Sequence, residues 1–170
     1  MTDEWEDIYT CPICKSTDCV PAGGKENSKI LLIGEFPGID EVKTGKPFSG
    51  ATGGVLRTEL AKLGIDLSRM RIANLWLHLP NHNEECLKYS ATQVIKEAKG
   101  KEAILLIGSD TVKYFCDKKV SQVNGLEVKS NYLSAPIIMA LIQPATVFHS
   151  TIGELRFGLS RFVYRIDSLI

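Results

Sequence analysis

The chain has 170 residues and carries 20 Lys plus Arg against 20 Asp plus Glu, so its formal net charge is zero. This balance excludes the strongly basic composition that is typical of nucleic-acid-binding domains, although a local basic rim can still meet phosphate. No apolar run approaches the roughly 20 residues of a membrane span. The acidic start, MTDEWEDIYT, lacks the features of a secretory signal. We therefore expect a cytoplasmic protein whose five cysteines are metal ligands or free thiols.

The first half of the chain contains two apolar runs, each followed by a helical pattern. Residues 30–33 precede an apolar helical spacing at 52–63, and residues 70–75 precede a second one at 84–99. Continuous apolar runs of this length are typical of parallel strands that are covered on both faces. Two strand–helix units are therefore predicted.

The second half continues this alternation. A third run, 103–107, precedes a short helix at 110–116 that Ser109 would cap, and a fourth run, 135–142, precedes an amphipathic helix at 154–166. Between them, Asn124-Gly125 predicts a hairpin within 120–133. Alternating strands and helices predict a three-layer α/β/α fold with a four-stranded parallel central sheet.

The organisation of the chain is expected to be simple. No repeat, low-complexity tract or linker divides it, so residues 1–170 are predicted to form a single domain. Residues 1–28 carry a Cys-x2-Cys pair and are expected to form a small metal-binding knuckle at the start of that domain.

The carboxyl ends of the predicted strands carry the candidate functional residues. Open α/β folds bind their ligands at this edge of the sheet. Asn74 ends the second strand, His149 follows the fourth, and Phe48 lies in the loop after the first. An aromatic face can stack on a planar ligand, and an amide side chain pairs a donor with an acceptor. These residues predict a site for a planar polar ligand such as a base.

The loop after the first strand resembles a known family motif. Residues 34–56 are GEFPGIDEVKTGKPFSGATGGVL, which is similar to the first motif of the uracil-DNA glycosylase superfamily, particularly its thermophile-type, iron–sulfur branch (family 4). Ile72-Ala73-Asn74 resembles the strand that ends in the base-reading Asn. Residues 104–109 resemble the apolar strand that ends in Gly-Ser or Gly-Ala, and Phe148-His149-Ser150 resembles the late His motif. The resemblance covers roughly residues 11–165.

This resemblance implies an enzyme, a monofunctional DNA glycosylase that flips a pyrimidine out of the duplex and hydrolyses its N-glycosidic bond, which leaves an abasic site. The three implied catalytic residues are Asn74 on the base edge, His149 donating to O2 of the leaving base, and Glu35 orienting water. The implied base-binding residues are Phe36, Pro37, Gly38, Glu41, Phe48 and Asn74. The expected phosphate contacts are Ser49, Ser150, Thr151 and Arg156.

Two departures from the family motifs leave the base open. Phe36 stands where the iron–sulfur branch usually has a small residue, and the late motif is His-Ser-Thr in place of His-Pro-Ser or His-Pro-Ala. Both uracil and a modified pyrimidine, such as a 5-substituted cytosine, therefore remain candidates, with a role in repair or in defence against phages. The partner in either case is DNA, and a monomer is expected.

Two other function classes are alternatives to a DNA glycosylase. A non-catalytic reader of uracil-containing or modified DNA would keep the fold but would have less need of Glu35, Asn74 and His149 together. A nucleotide-binding Rossmann-like domain is disfavoured, because neither G-x-G-x-x-G nor G-x-x-x-x-G-K-[ST] occurs in the chain.

The cysteines predict a structural metal site. In the family pattern two further cysteines follow the base-reading Asn, and with the Cys-x2-Cys pair they bind a [4Fe–4S] cluster. Here the corresponding positions imply Cys11, Cys14, His78 and Cys86, while Cys19 and His82 compete for membership. Three thiolates with one imidazole favour structural zinc over an all-thiolate [4Fe–4S] cluster, which stays the alternative.

Overall fold

The computed structural model describes residues 7–145 and 152–170. Its sheet contains five strands in the order β1-β3-β2-β4-β5. The strands are β1 (Gly23–Gly24), β2 (Ile30–Gly34), β3 (Arg71–Asn74), β4 (Ala103–Ile107) and β5 (Ile137–Leu141). The strands β2 to β5 pair in parallel, and β1 adds to the β3 edge in the antiparallel sense.

Six α-helices connect and cover these strands within the described residues. They are α1 (Ile39–Thr44), α2 (Ala51–Lys62), α3 (Glu84–Ala98), α4 (Ser109–Cys116), α5 (Val120–Val123) and α6 (Ile152–Arg165). Short 3-10 turns follow at Leu67–Arg69 and Asp167–Leu169. No helix among the described residues is long and apolar enough to cross a membrane.

The alternating side chains of the buried strands form two apolar layers. On one face Leu32 and Leu105 pack with Leu56 of α2 and Phe162 of α6. On the other face the neighbouring strand residues Leu31 and Ile104 pack with α3 and α4. Successive strand residues point to opposite faces, so apolar residues at every position require helices on both sides. The three-layer α/β/α fold is confirmed.

The four expected parallel strands are present, and the sheet has in addition a fifth, antiparallel strand, β1, a two-residue Gly-Gly strand that no apolar pattern reveals. Two other sequence expectations about local structure were wrong. The segment 120–133, which was expected to form a hairpin, begins instead with the short helix α5. Ser109 does not cap α4, since Gly108 is the N-cap residue and Ser109 is the first helical residue.

The strand order places the site. β2 lies in the middle of the sheet, and the chain runs from it to β3 on one side and then across to β4 on the other. The crevice at the carboxyl ends of β2 and β4 is therefore the switch point at which such sheets bind ligands. Glu35 directly follows β2, and Gly108 directly follows β4.

A pair of adjacent glycines in α2 tests the packing of this helix beneath the site. A Cβ at Gly53 would lie 1.8 Å from the carbonyl oxygen of Phe48, whereas one at Gly54 would meet no atom within 4 Å. We expect Gly53→Ala to lower the free energy of unfolding by about 3 kcal/mol through overpacking. Gly54→Ala, the matched control, should raise it by about 0.5–1 kcal/mol, because alanine restricts the unfolded chain and favours helix.

Urea denaturation followed by circular dichroism measures both variants. Equal effects of the two substitutions would contradict the close approach of α2 to Phe48.

Candidate active site and metal centre

The site is built around Gly34, the last residue of β2. A Cβ at this position would lie 2.5 Å from Asn74 Oδ1 and 2.6 Å from Phe48 Cζ. The amide of Asn74 and the ring of Phe48 therefore both rest against one bare Cα. Gly34 pairs in register with Asn74 across the parallel β2–β3 ladder, which is why the two strand ends meet. The structure thus brings together the predicted stacking aromatic and the predicted base-reading amide.

Phe48 is held in an unusual backbone conformation. Its φ of 55° lies in the left-handed region, which is uncommon for an aromatic residue and marks local strain. Its carbonyl oxygen accepts a hydrogen bond from Arg57 Nη2 at 3.3 Å. The residue is 7% exposed, so its ring is largely enclosed by the protein.

The turn after β2 alternates between buried and exposed side chains. Glu35 and Pro37 are buried, Gly38 is half-buried, and Phe36 is 44% exposed. The carbonyl oxygen of Glu35 accepts a hydrogen bond from Trp76 N at 2.9 Å, which fastens the turn to the chain that leaves β3. Phe36 is therefore presented at the surface.

Glu41 organises the loop between the turn and α2. Its Oε2 accepts from the Gly38 N–H at 3.1 Å and its Oε1 from the Gly50 N–H at 3.2 Å. Gly38 and Gly50 are the N-cap residues of α1 and α2, so one carboxylate satisfies backbone donors at two helix starts. This capping role was not expected from the sequence.

The side chain of Glu35 turns towards β4 and β5. Gln143 Nε2 donates to Glu35 Oε1 at 3.4 Å, and Asp110 in the first turn of α4 lies close enough to act on the same carboxyl group. Burial, followed by the hydrogen bond and negative charge of Asp110, raises the pKa of Glu35 to about 7. Asp110 and Gln143 were missed by sequence reasoning, although the expected meeting of strand ends pointed to their segments.

Ser49 and Arg156 are the predicted phosphate contacts that lie among the described residues. Ser49 is exposed and its Oγ lies 2.7 Å from Thr44 Oγ1. Arg156 Nε of α6 donates to Glu59 Oε2 of α2 at 3.0 Å, so this side chain already holds an ion pair. His149, Ser150 and Thr151 lie outside the described residues.

The four predicted metal ligands converge. The Sγ atoms of Cys11, Cys14 and Cys86 and a ring nitrogen of His78 all lie within 4.8 Å of one another. Cys11 Sγ is 3.9 Å from Cys86 Sγ, and Cys14 Sγ is 3.6 Å from His78 Nε2. The cluster joins the knuckle to the segment after β3 and to the first turn of α3.

The chemistry of these four residues suits a metal ion. His78 Nδ1 lies 2.8 Å from the carbonyl oxygen of Leu79; a proton held there leaves Nε2 free to bind a metal, as is usual for histidine ligands. Burial tends to raise the pKa of Cys11, but the N–H groups of Cys14 and Ile13 outweigh it and lower that pKa to about 7. Asn81 Nδ2 donates to Cys86 Sγ at 3.5 Å.

The sequence of this chain is similar to those of a known protein family. Residues 21–157 match the profile of the Uracil DNA glycosylase superfamily. The chain belongs to the uracil DNA glycosylase superfamily. The match covers β1 to the first half of α6, and the expected enzyme class, a DNA glycosylase, is confirmed.

Three similar proteins carry the same name, Type-4 uracil-DNA glycosylase. The Type-4 uracil-DNA glycosylase of Archaeoglobus fulgidus is 27% identical, covering 88% of this chain and 83% of its own. That of Thermotoga maritima is 29% identical, covering 89% and 84%. That of Sulfurisphaera tokodaii is 28% identical, covering 79% and 69%. The expected resemblance to the type-4 branch is confirmed.

The structure also shows whether Cys19 or His82 belongs to the candidate metal site. Cys19 is buried but is not one of the four converging groups, and burial with the nearby Cys11 raises its pKa to about 12, so it remains a thiol. His82 is exposed and also lies outside the group. The cluster is therefore Cys11, Cys14, His78 and Cys86.

This ligand set predicts the outcome of three cysteine substitutions. We expect Cys86→Ser to lose the bound metal and to unfold at a lower temperature, because a structural metal contributes directly to folding. Cys19→Ser and Cys116→Ser are the controls and should retain it. Elemental analysis of the purified variants measures this, and metal loss in Cys19→Ser would show that the ligand set is different.

Proposed function

We propose that this protein is a monofunctional uracil-DNA glycosylase that flips uracil out of DNA and hydrolyses its N-glycosidic bond. The observation that carries the proposal is the contact of the Phe48 ring and the Asn74 amide with the bare Cα of Gly34. A planar base that stacks on this ring can pair its edge with the adjacent amide. Base flipping is required because the glycosidic carbon is inaccessible in stacked DNA.

The proposed reaction divides the work among three side chains. Asn74 binds the base edge. His149 donates to O2 of the leaving base and stabilises the negative charge that develops as the C–N bond breaks. Glu35 orients the water that attacks the sugar carbon. Phe36, Pro37, Gly38 and Glu41 complete the base pocket in this proposal, and the backbone contacts of Glu41 would keep that pocket in shape.

DNA is the proposed partner, and the chain is proposed to act as a single domain and a monomer. Ser49, Ser150, Thr151 and Arg156 are the proposed phosphate contacts. For Arg156 this requires exchange of its Glu59 partner for a phosphate. The Arg156 side chain is 54% exposed, and the buried Glu59 would keep Lys62 as an ion-pair partner at 3.0 Å.

A modified pyrimidine is the second candidate base. It is favoured by the exposed side chain of Phe36, which follows Glu35 in the loop after β2 and stands where the family motif usually has a small residue. An enzyme of this kind would serve defence against foreign DNA, whereas uracil excision would serve base-excision repair.

An alkali-cleavage gel assay tests the choice of base. Matched oligonucleotides carry uracil, hypoxanthine, 5-hydroxymethylcytosine or its glucosylated form. We expect strand breaks at uracil, and only after alkali treatment, because a monofunctional enzyme leaves the abasic site uncut. Breaks at a modified cytosine alone would favour the second candidate, and no breaks on any substrate would favour the non-catalytic reader.

Two of the three histidines provide a matched pair for the catalytic role. We expect His149→Asn to lower single-turnover uracil excision by about 10²–10³-fold, as loss of one oxyanion donor does. His82→Asn is the control and should keep full activity, because this exposed residue lies at a φ of 61°, which Asn tolerates. Equal rates in both variants, together with unchanged binding of uracil-containing DNA by fluorescence anisotropy, would contradict the proposed role of His149.

We further propose that the metal is structural zinc. Tetrahedral zinc with Zn–S bonds of about 2.3 Å places its ligand atoms about 3.8 Å apart, close to the 3.9 Å between Cys11 and Cys86 Sγ. A [4Fe–4S] cluster binds each ligand at a different iron, so its ligands lie farther apart. When bound, the ion would join the knuckle to the chain after β3 and would take no part in the chemical step.

Colour and metal content test this assignment. We expect colourless protein with one zinc per chain. A brown protein that absorbs at about 400 nm and contains iron would reject zinc in favour of the iron–sulfur alternative.

A further inference from the structure

A residue of the knuckle, Tyr9, lies against the loop that carries Phe48. A Cβ at Gly45, the C-cap residue of α1, would be 3.7 Å from Tyr9 Cε1. A second contact ties the same loop to β1, since a Cβ at Gly23 would be 2.9 Å from Pro47 Cδ. Tyr9 is nevertheless 50% exposed. The knuckle therefore presents an open aromatic side chain at the loop residue that stands three positions before Phe48.

The loop itself is fixed by a ring of hydrogen bonds. Lys46 N–H donates to Thr44 Oγ1 at 3.3 Å, and Ser49 Oγ donates to the Lys46 carbonyl oxygen at 2.9 Å. Thr44 Oγ1 lies 2.7 Å from Ser49 Oγ. Because the single hydroxyl proton of Ser49 is bound to Lys46, Thr44 is the donor of this pair. The ring holds the backbone of Lys46 in place next to Gly45.

The same ring decides which donors of the loop can meet a phosphate group. A phosphate oxygen accepts hydrogen bonds, and the Ser49 hydroxyl could donate to it only by releasing the Lys46 carbonyl oxygen. The side chains of Lys43 and Lys46 are exposed, and neither pairs with an acid among the residues that the structure describes. Their ammonium groups can therefore reach a phosphate without breaking a bond of the loop.

An exposed aromatic side chain beside two cations is a combination suited to single-stranded DNA. Cations follow the phosphate backbone, and an unpaired base stacks on the aromatic face. The chain as a whole has no formal net charge, so a local group of cations is needed to attract a DNA strand. The loop after β2 supplies such a group within a few residues of Phe48.

We propose that Tyr9, Lys43 and Lys46 form a subsite for the DNA strand that flanks the flipped nucleotide. The Tyr9 ring stacks on an unpaired neighbouring base, and the two ammonium groups bind phosphates of the same strand. Phe48 stacks on the flipped base, so the two aromatic residues hold different nucleotides. This inference rests on the proposed glycosylase function, to which it adds a binding surface.

Fluorescence anisotropy with a labelled single-stranded oligonucleotide tests the aromatic part of the subsite. The oligonucleotide carries one 2′-fluorinated uracil nucleotide, which resists cleavage. We expect Tyr9→Leu to bind about tenfold more weakly, because it loses a base–aromatic stack, whereas Tyr9→Phe keeps the aromatic face and should bind as native protein does. Tyr164→Leu is the matched control and should also keep native affinity, since this residue is 85% exposed near the far end of α6.

The salt dependence of the same binding tests the lysines. Loss of one phosphate contact makes the slope of log K against log[salt] shallower by about 0.7 on single-stranded DNA. Lys43→Gln combined with Lys46→Gln should therefore change the slope by about 1.4. Lys118→Gln combined with Lys119→Gln is the matched control, because these exposed residues lie beyond the carboxyl end of α4. This control pair should leave the slope unchanged.

Single-turnover excision of uracil separates the subsite from the catalytic groups. At saturating protein the subsite variants should keep the native rate constant, because Phe48 and Asn74 are intact, while the protein concentration for half-saturation should rise. Native affinity in Tyr9→Leu, a native salt slope in the lysine variant, or a lower rate constant at saturation overturns the subsite and leaves the glycosylase proposal intact. Native protein that binds this DNA without excising uracil overturns the glycosylase proposal alone, and native protein that does not bind it overturns both.

Discussion

The parallel pairing of β2 with β3 on one side and β4 on the other is the constraint on which the site depends. Gly34 sits opposite Asn74 in this register, and the same central strand carries Glu35 to the end of β4. Thr111 Oγ1 of α4 donates to the Gly34 carbonyl oxygen at 3.0 Å, which fixes the strand end further. A register shift of one residue would turn every side chain to the opposite face and would separate Phe48 from Asn74.

The four converging Cys and His side chains lie on one side of the same arrangement. His78 lies four residues after Asn74, and Val20 N donates to the Leu77 carbonyl oxygen at 2.6 Å. The knuckle, the exit from β3 and the first turn of α3 thus meet at one cluster of ligands. Because Trp76 N also binds the Glu35 carbonyl oxygen, the metal centre and the pocket share a short segment of backbone.

Packing against glycine recurs at each critical contact. Gly34 admits the Asn74 amide and the Phe48 ring, and Gly53 admits the Phe48 carbonyl oxygen. Gly108 admits the Glu35 carboxyl. The strained backbone of Phe48 persists because α2, Arg57 and β2 enclose it. Rigid placement of this kind is what a base-flipping enzyme needs, since the flipped nucleotide must be held in a fixed geometry.

The sequence by itself determined the layered fold and narrowed the candidate metal ligands to six Cys and His residues. Apolar runs at 30–33 and 103–107 can only be buried between two layers of helices, and the Cys-x2-Cys spacing at Cys11 and Cys14 is typical of a metal knuckle. Only the tertiary structure decided the rest. The strand at Gly23–Gly24 depends on a free β3 edge and not on its own residues. The capping of two helix starts by Glu41 and the hydrogen bond from Gln143 to Glu35 are contacts that the order of residues along the chain does not reveal, and the same is true of the position of Cys19 outside the converging group. Such contacts arise only when packed strand ends bring them within hydrogen-bonding distance.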